Sequence, residues 1–351
     1  MEKQRDWKKL LKADPTGWLL EPDDPGVRYL ALRDIVEVDD NEIKAAREKA
    51  HREGPIARIL DNMNPAGYWV RPNNVYVPKC QGTVWSIISL AQMGASIEED
   101  KRIGTACTYL LDHGMAKGGQ FSNTGDASKT FNCLQGNMLT SLMDMGCNDD
   151  RIAIAYEWTA RTVTGEGLPL KVTKDGLTPT ALSSTKLWSL SHITGPLFAC
   201  RRTNHCVWAG AKVMLAFSRL PIERRSSLIK RAIDAGIRYF FRSDPATADF
   251  PGEMAPVPDR RWWKFHFPVI GLDLLQVAEA LTALGYGGDP RLAKTLDLVR
   301  RKQDEHGSWL LEKNYGYQHK WWVEYGSLIK PNKWVTLRAM RVLKQAAEQT
   351  L

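Results

Sequence analysis

The chain has 351 residues, 43% of them hydrophobic and 25% charged, with a formal net charge of +8. That is ordinary globular composition, and no apolar run reaches the roughly 18 residues of a membrane span. Six cysteines in so long a chain point to reduced thiols or a metal site rather than a disulfide framework. The basic opening MEKQRDWKKLLKADP lacks a signal peptide's apolar core, so a soluble, cytoplasmic protein is expected. With no zinc-finger spacing and no concentrated basic stripe, nucleic acid is not an expected partner.

From the N-terminus, helix follows helix. VRYLALRDIV, TVWSIISLAQMG, CLQGNMLTSLMDMG, AKVMLAFSRL, LDLLQVAEALTALG and WVTLRAMRVLK carry apolar residues at three- and four-residue spacing. More polar segments alternate with them: NEIKAAREKAHREGPIARIL, EEDKRIGTACTYLLDHG, DDRIAIAYEWTARTV, IERRSSLIKRAIDAGIRYFF and DPRLAKTLDLVRRKQ. Most of these run into a glycine turn, as AGYW at Ala66–Trp69, GGQF at Gly118–Phe121 and GSW at Gly307–Trp309. The unit recurs about every 50 to 70 residues, the period of a solenoid or closed array. Nothing alternates over a strand's length, so the chain is all-α. Segments that are apolar all round belong inside, and their amphipathic partners face water. Six apolar and five amphipathic segments predict an α/α toroid of about six inner and five to six outer helices, a single domain over 1–351. An open solenoid is the alternative.

The repeats carry a resemblance. KQDEHGSW, with Gln303, Gly307 and Trp309, resembles the QW motif of squalene and hopene cyclases, and AGYW and GGQF resemble degenerate copies. Together with WLLEPDDPGVRYLALRDIV, GTVW, CLQGN and KWVTLRAMRVLK, the whole chain resembles the prenyltransferase and squalene-oxidase-repeat proteins, an uncharacterised bacterial branch of the terpenoid cyclase and protein prenyltransferase superfamily. The resemblance implies cyclase- or transferase-like chemistry on an isoprenoid or similar apolar ligand. However, the DxDD and DDxxD carboxylate clusters of those enzymes are missing. Asp23-Asp24, Asp39-Asp40 and Asp149-Asp150 read as helix caps. A non-catalytic toroid that binds or scaffolds is therefore the rival reading.

In a toroid the inner helices are parallel, so their N-termini would open at one end. Lys79, Arg201, Lys264 and Lys333 would form an anion-attracting rim there, above a wall of Trp85, Trp208, Trp263 and Trp334. Such a mouth suits an amphipathic anion, such as a prenyl diphosphate, and contact with a membrane periphery. It equally suits indoles packed for area alone. Cys133, Cys200 and Cys206 lie at or before adjacent inner-helix starts. They are either a zinc site, with a fourth ligand from His205, His192, Asp273 or solvent, or three buried thiols. Asp273, among apolar neighbours, is either a pocket acid or a hydrogen-bonded structural group. His205 is the other candidate for proton transfer. The segments 165–204 and 249–268 would overhang the same mouth or be disordered; Asp244 and Asp249, in RSDPATADFPG, lie in a loop that is either a lid or a plain connecting turn.

Overall fold

A computed structural model describes residues 7–130, 132–164, 166, 170–173, 176–179, 207–247, 250, 260–314 and 320–350. In chain order its helices are α1 (Thr16–Leu19), α2 (Pro25–Ala31), α3 (Asp40–Arg52), α4 (Gly54–Asp61), α5 (Thr83–Gln92), α6 (Lys101–Gly114) and α7 (Gln135–Asp144). They continue as α8 (Arg151–Thr164), α9 (Val207–Arg219), α10 (Ser227–Phe240), α11 (Leu274–Ala283), α12 (Ala293–Arg301) and α13 (Lys333–Glu348). A single hairpin, β1 (Leu170–Thr173) antiparallel to β2 (Gly176–Pro179), is the one sheet among the described residues. Among them, too, no helix is long and apolar enough to cross a membrane.

Side-chain caps define many of the helix starts. Asp24 accepts from Val27 N–H, Asp39 from Asn41 and Glu42, Asp100 from Arg102, Ser226 from Ile229 and Asn332 from Val335. Asp149 likewise accepts from Arg151 N–H. One aspartate of each pair is therefore used as a cap, and Asp23 pairs with Lys333.

Six helices form the inner ring. α5 packs on α7, α7 on α9, α9 on α11, α11 on α13 and α13 on α2. Leu30 and Tyr29 of α2 rest against Gly94, just after α5, and so close it. The outer set covers this ring: α3 and α4 lie on α2, α6 on α5, α8 on α7, α10 on α8 and α9, and α12 on α11 and α13. This is an α/α toroid. α7 approaches α9 closely, with Gly136 directly on the Lys212 backbone.

The glycine–aromatic turns join each unit to the next. Trp69 is fully buried, donates from its indole to Ile59 O at 2.8 Å, and donates its backbone N–H to Thr83 Oγ1 at 3.1 Å. Trp309 repeats that geometry, with Val299 O at 2.7 Å and Thr336 Oγ1 at 2.9 Å. Gly67 and Gly307 hold left-handed φ values of 95° and 89°. Gly67 abuts the Thr105 backbone of α6, and Gly307 abuts that of Ala13. Gln303 accepts from Lys12 N–H at 2.6 Å and donates to Ala13 O and Gly307 O, both at 2.8 Å. The N-terminal segment is thus tied to the last glycine turn, some 290 residues away in sequence.

Candidate binding site in the ring

The centre of the ring is crossed by the segment before α11. Its buried backbone groups need partners, and the inner helices supply them. Gln92 of α5 brackets Val269, accepting from its N–H at 2.7 Å and donating to its carbonyl at 3.1 Å. Asn137 Nδ2 of α7 donates to the same carbonyl at 3.2 Å. Lys212 Nζ of α9 donates to Ile270 O at 2.5 Å and Cys133 O at 3.1 Å. Arg338 of α13 donates to His266 O at 2.8 Å.

Asp273 anchors this crossing. Its Oδ1 caps α11 through Gln276 N–H at 2.8 Å, and its Oδ2 accepts from His266 N–H at 3.1 Å. Arg338 engages both oxygens, at 3.0 and 3.1 Å, while His266 Nδ1 lies 3.1 Å from Oδ2. Burial alone would raise the Asp273 pKa. The adjoining Arg338 and His266 outweigh it and hold the carboxyl far below the usual carboxylate range. Burial lowers the His266 pKa, against the pull of Asp273. An acid held in this way favours its ionised form.

Beneath the crossing lies a cavity of about 490 Å³, at the C-terminal half of the ring. Phe267 and Val269 contribute to its wall from the crossing segment. The inner helices and the turn after α2 present polar residues to it, in most cases at three- and four-residue spacing. The stripes are Arg33, Asp34 and Glu37; Gln92; Asn137, Thr140, Ser141 and Asp144; Lys212 and Arg219; Gln276 and Glu279; and Arg338, Arg341, Lys344, Gln345 and Glu348. The first follows α2 through a π-helical turn, Leu32–Val36, a distortion frequent at functional sites.

Charges around this cavity alternate in sign. Asp34 contacts Arg33 at 2.6 Å and also pairs with Arg341. Lys344 meets Glu37 at 2.6 Å, and Arg219 meets Asp144 at 2.7 Å and Glu279 at 3.8 Å. Burial tends to raise the Asp34 pKa, but Arg341 and Arg33 bring it below the ordinary value. Burial tends to lower that of Arg219, and Asp144 and Glu279 raise it above. The cationic side chains clustered at the last turns also complement the helix dipoles.

The residues expected at the opposite end have other surroundings. Trp85 is buried with its indole N–H on Tyr76 O at 2.6 Å. Trp334 stacks on Phe267 at 4.7 Å. Trp263 donates to Ala246 O at 3.0 Å. Trp208, half-buried, lies under the guanidinium of Arg261 at 5.3 Å and Lys313 at 5.6 Å. Lys333 bonds Glu21 at 2.9 Å and pairs with Asp23, so its charge is already matched. Lys264 is exposed and Lys79 half-buried. Asp244 Oδ1 caps a turn through Ala246 N–H at 3.0 Å. None of these residues, and not Asp273, lines the cavity. This cavity lies at the C-terminal half of the inner helices, away from the N-terminal mouth that was expected.

Cys133 is half-buried. Cys200, Arg201, His205, Cys206, His192 and Asp249 lie outside the described residues, and no group of three or more metal-binding side chains occurs within them. Cys80 is buried and its thiol pushed up to about 12 by that burial, which leaves it protonated and inert.

No family model matches the chain, and no curated protein does. Among solved structures, it is similar to a type II terpene cyclase, MstE from Scytonema, in complex with geranylgeranyl dihydroxybenzoate. The identity is 12%, the match covers 84% of this chain and 95% of that one, and the TM-score is 0.33. The ring described above rests on the packing of its own helices.

Proposed function

We propose that this toroid binds a small polar molecule in the cavity at the C-terminal half of its inner ring. The observation that carries the reading is the set of inward polar stripes. Asn137, Lys212 and Arg338 are occupied in holding the crossing segment, but Thr140, Ser141, Gln276, Gln345 and Glu348 hold no part of it, and a closed helical core gains nothing by turning such groups inward. A cavity that receives a polar ligand gives them a use. Binding is favoured over catalysis because Asp34, Glu37, Asp144 and Glu279 each face an arginine or lysine, and an ion-paired carboxylate is a poor proton carrier at neutral pH. The test is a thermal-shift screen of small polar metabolites on wild type and Ala283→Trp, which fills the cavity from α11. Stabilising ligands whose effect is lost in Ala283→Trp support the reading; ligands unaffected by that variant refute it.

An isoprenoid ligand is the second reading. One observation favours it: the aromatic and cationic side chains at the other end of the ring, with Arg261 and Lys313 over Trp208. Its chemistry would use indole faces to stabilise cationic character. A zinc ion on Cys133, Cys200 and Cys206 would belong to the same end. Geranylgeranyl diphosphate, with zinc content measured before and after Cys133→Ser, checks both points. A shift that survives Ala283→Trp and disappears in Trp208→Ala would favour this reading over the first.

A further inference from the structure

We infer that Cys107 and Cys147 form an oxidation site, a thiol pair that hydrogen peroxide converts to a disulfide joining α6 to the end of α7. Both are free thiols, and the Cys107 S–H donates a hydrogen bond to Cys147 Sγ. The backbone fixes their meeting from both sides. Cys147 follows Gly146, whose φ is left-handed, and donates its N–H to Leu142 O at 2.9 Å, so it is held at the end of α7. On one side of it, Met145 O accepts from Ile97 N–H, just before α6, at 3.0 Å. On the other, Arg151 reaches Asp112 of α6 at 2.6 Å. The turn between α7 and α8 therefore lies along α6, and the two sulfurs meet in that seam. Among the described residues no third metal-binding side chain joins them, so the chemistry open to the pair is that of two adjacent sulfurs. Sulfurs already in contact need only a short approach to the roughly 2 Å of an S–S bond.

Exposure assigns the two roles. Cys107 is 1% exposed, inside the core, whereas Cys147 is half-buried at its edge. Cys147 is thus the sulfur that a small oxidant meets first. The bond from Cys107 brings the Cys147 pKa below its usual value, helped by Arg151 and the Asp149 N–H, against burial and the Asp149 charge. The thiolate so favoured is the reactive form. The same bond and burial push the Cys107 thiol up, which keeps it protonated. In the first step the Cys147 thiolate attacks one oxygen of hydrogen peroxide. The O–O bond breaks, hydroxide leaves and takes a proton from solvent, and Cys147 becomes a sulfenic acid. Cys107 Sγ then attacks Cys147 Sγ. The S–O bond breaks, and the departing hydroxide takes the Cys107 proton and leaves as water. The two thiols lose two electrons in all, and the peroxide is reduced to two waters. The new bond ties one repeat covalently to the next and closes a long loop, which restricts the unfolded chain.

The test treats the folded, fully reduced, full-length chain with hydrogen peroxide, with and without dimedone to trap sulfenic acid. Peptides are mapped by mass spectrometry for wild type, Cys107→Ala and Cys147→Ser. The expected wild-type product is a Cys107–Cys147 linked peptide that dithiothreitol separates again. In Cys107→Ala the second thiol is gone, so Cys147 should accumulate as its dimedone adduct. In Cys147→Ser, the buried Cys107 should stay reduced. Oxidised wild type should melt at a higher temperature than reduced wild type. The wild-type map decides the matter even where a variant fails to fold. Both thiols still reduced after treatment, Cys147 stopping at the sulfenic acid, or Cys147 linked to a different cysteine would each overturn the inference. So would an oxidised protein that melts below the reduced one, since the bond would then form only by breaking the fold. Oxidation of Cys107 in Cys147→Ser would overturn the assignment of Cys147 as the attacking sulfur.

Discussion

Arg338 on the last inner helix grips both oxygens of Asp273, the cap of the preceding inner helix, at 3.0 and 3.1 Å, with both side chains buried. The pair fastens the segment that crosses the ring to the ring itself. Arg338→Met would leave an uncompensated carboxylate inside, and destabilisation of about 3–5 kcal/mol is expected. Arg338→Met combined with Asp273→Asn keeps the cap and removes the orphan charge, so it should recover part of that loss. Urea unfolding of the two variants checks this. Equal losses in both would mean that the charge pairing is not what matters.

Gly67 and Gly307 close equivalent turns, and each presses on another segment's backbone. Gly146 also has a left-handed φ, 83°, but faces open space. Gly146→Ala should therefore cost only about 1 kcal/mol of backbone strain. Gly67→Ala and Gly307→Ala should cost roughly 3 kcal/mol or more, since the added methyl has no flexible side chain to displace. Similar midpoints for all three would contradict the tie between repeats.

Thr83 and Thr336 give the repeat a second test. Each fully buried hydroxyl accepts the backbone N–H of a buried tryptophan. Thr83→Val and Thr336→Val keep the shape and orphan that donor. A loss of about 1–3 kcal/mol is expected for each, measurable by chemical denaturation.

Acid should weaken the fold before its carboxylates titrate. Burial lowers the pKa of His51, whose Nε2 accepts Ser96 N–H at 2.9 Å while Nδ1 meets Arg47 O at 2.8 Å. His266 shifts in the same direction. The unfolded chain therefore takes up protons more readily than the folded one as pH drops below about 6.5. Their contribution is complete above that pH and is lost as pH falls toward the depressed folded values. Asp273, lowered further, keeps its full contribution down to about pH 3.9 and loses it progressively below that, toward its depressed folded value. Tm measured from pH 8 downward should begin to fall near about pH 6.5, and His51→Gln should flatten that fall.

The fold was largely legible because helix periodicity, glycine turns and buried tryptophans are local signals. Trp69 and Trp309 even make the same bonds, as their shared turn pattern suggested. The cavity was not legible in the same way. The inner helices are rich enough in apolar residues to read as apolar all round. Yet Asn137–Thr140–Asp144 and Arg338–Arg341–Lys344 recur at three- and four-residue spacing and mark one polar face. That spacing was the available signal. What no local pattern could show was that residues around Val269 would cross the ring and be held by Gln92, Asn137 and Lys212 from three distant repeats. Asp273, expected as a pocket acid or a structural group, is gripped by Arg338 from 65 residues away.

The central claim concerns which part of the ring a ligand occupies, and hydrogen exchange with the tightest-binding molecule from the polar and prenyl panels measures it directly. Protection is predicted at the C-terminal ends of the inner helices, around residues 34–37, 92–94, 140–146, 215–220, 279–285 and 341–348. Protection confined to residues 79–86, 260–266 and 321–334, at the opposite end, would contradict the account.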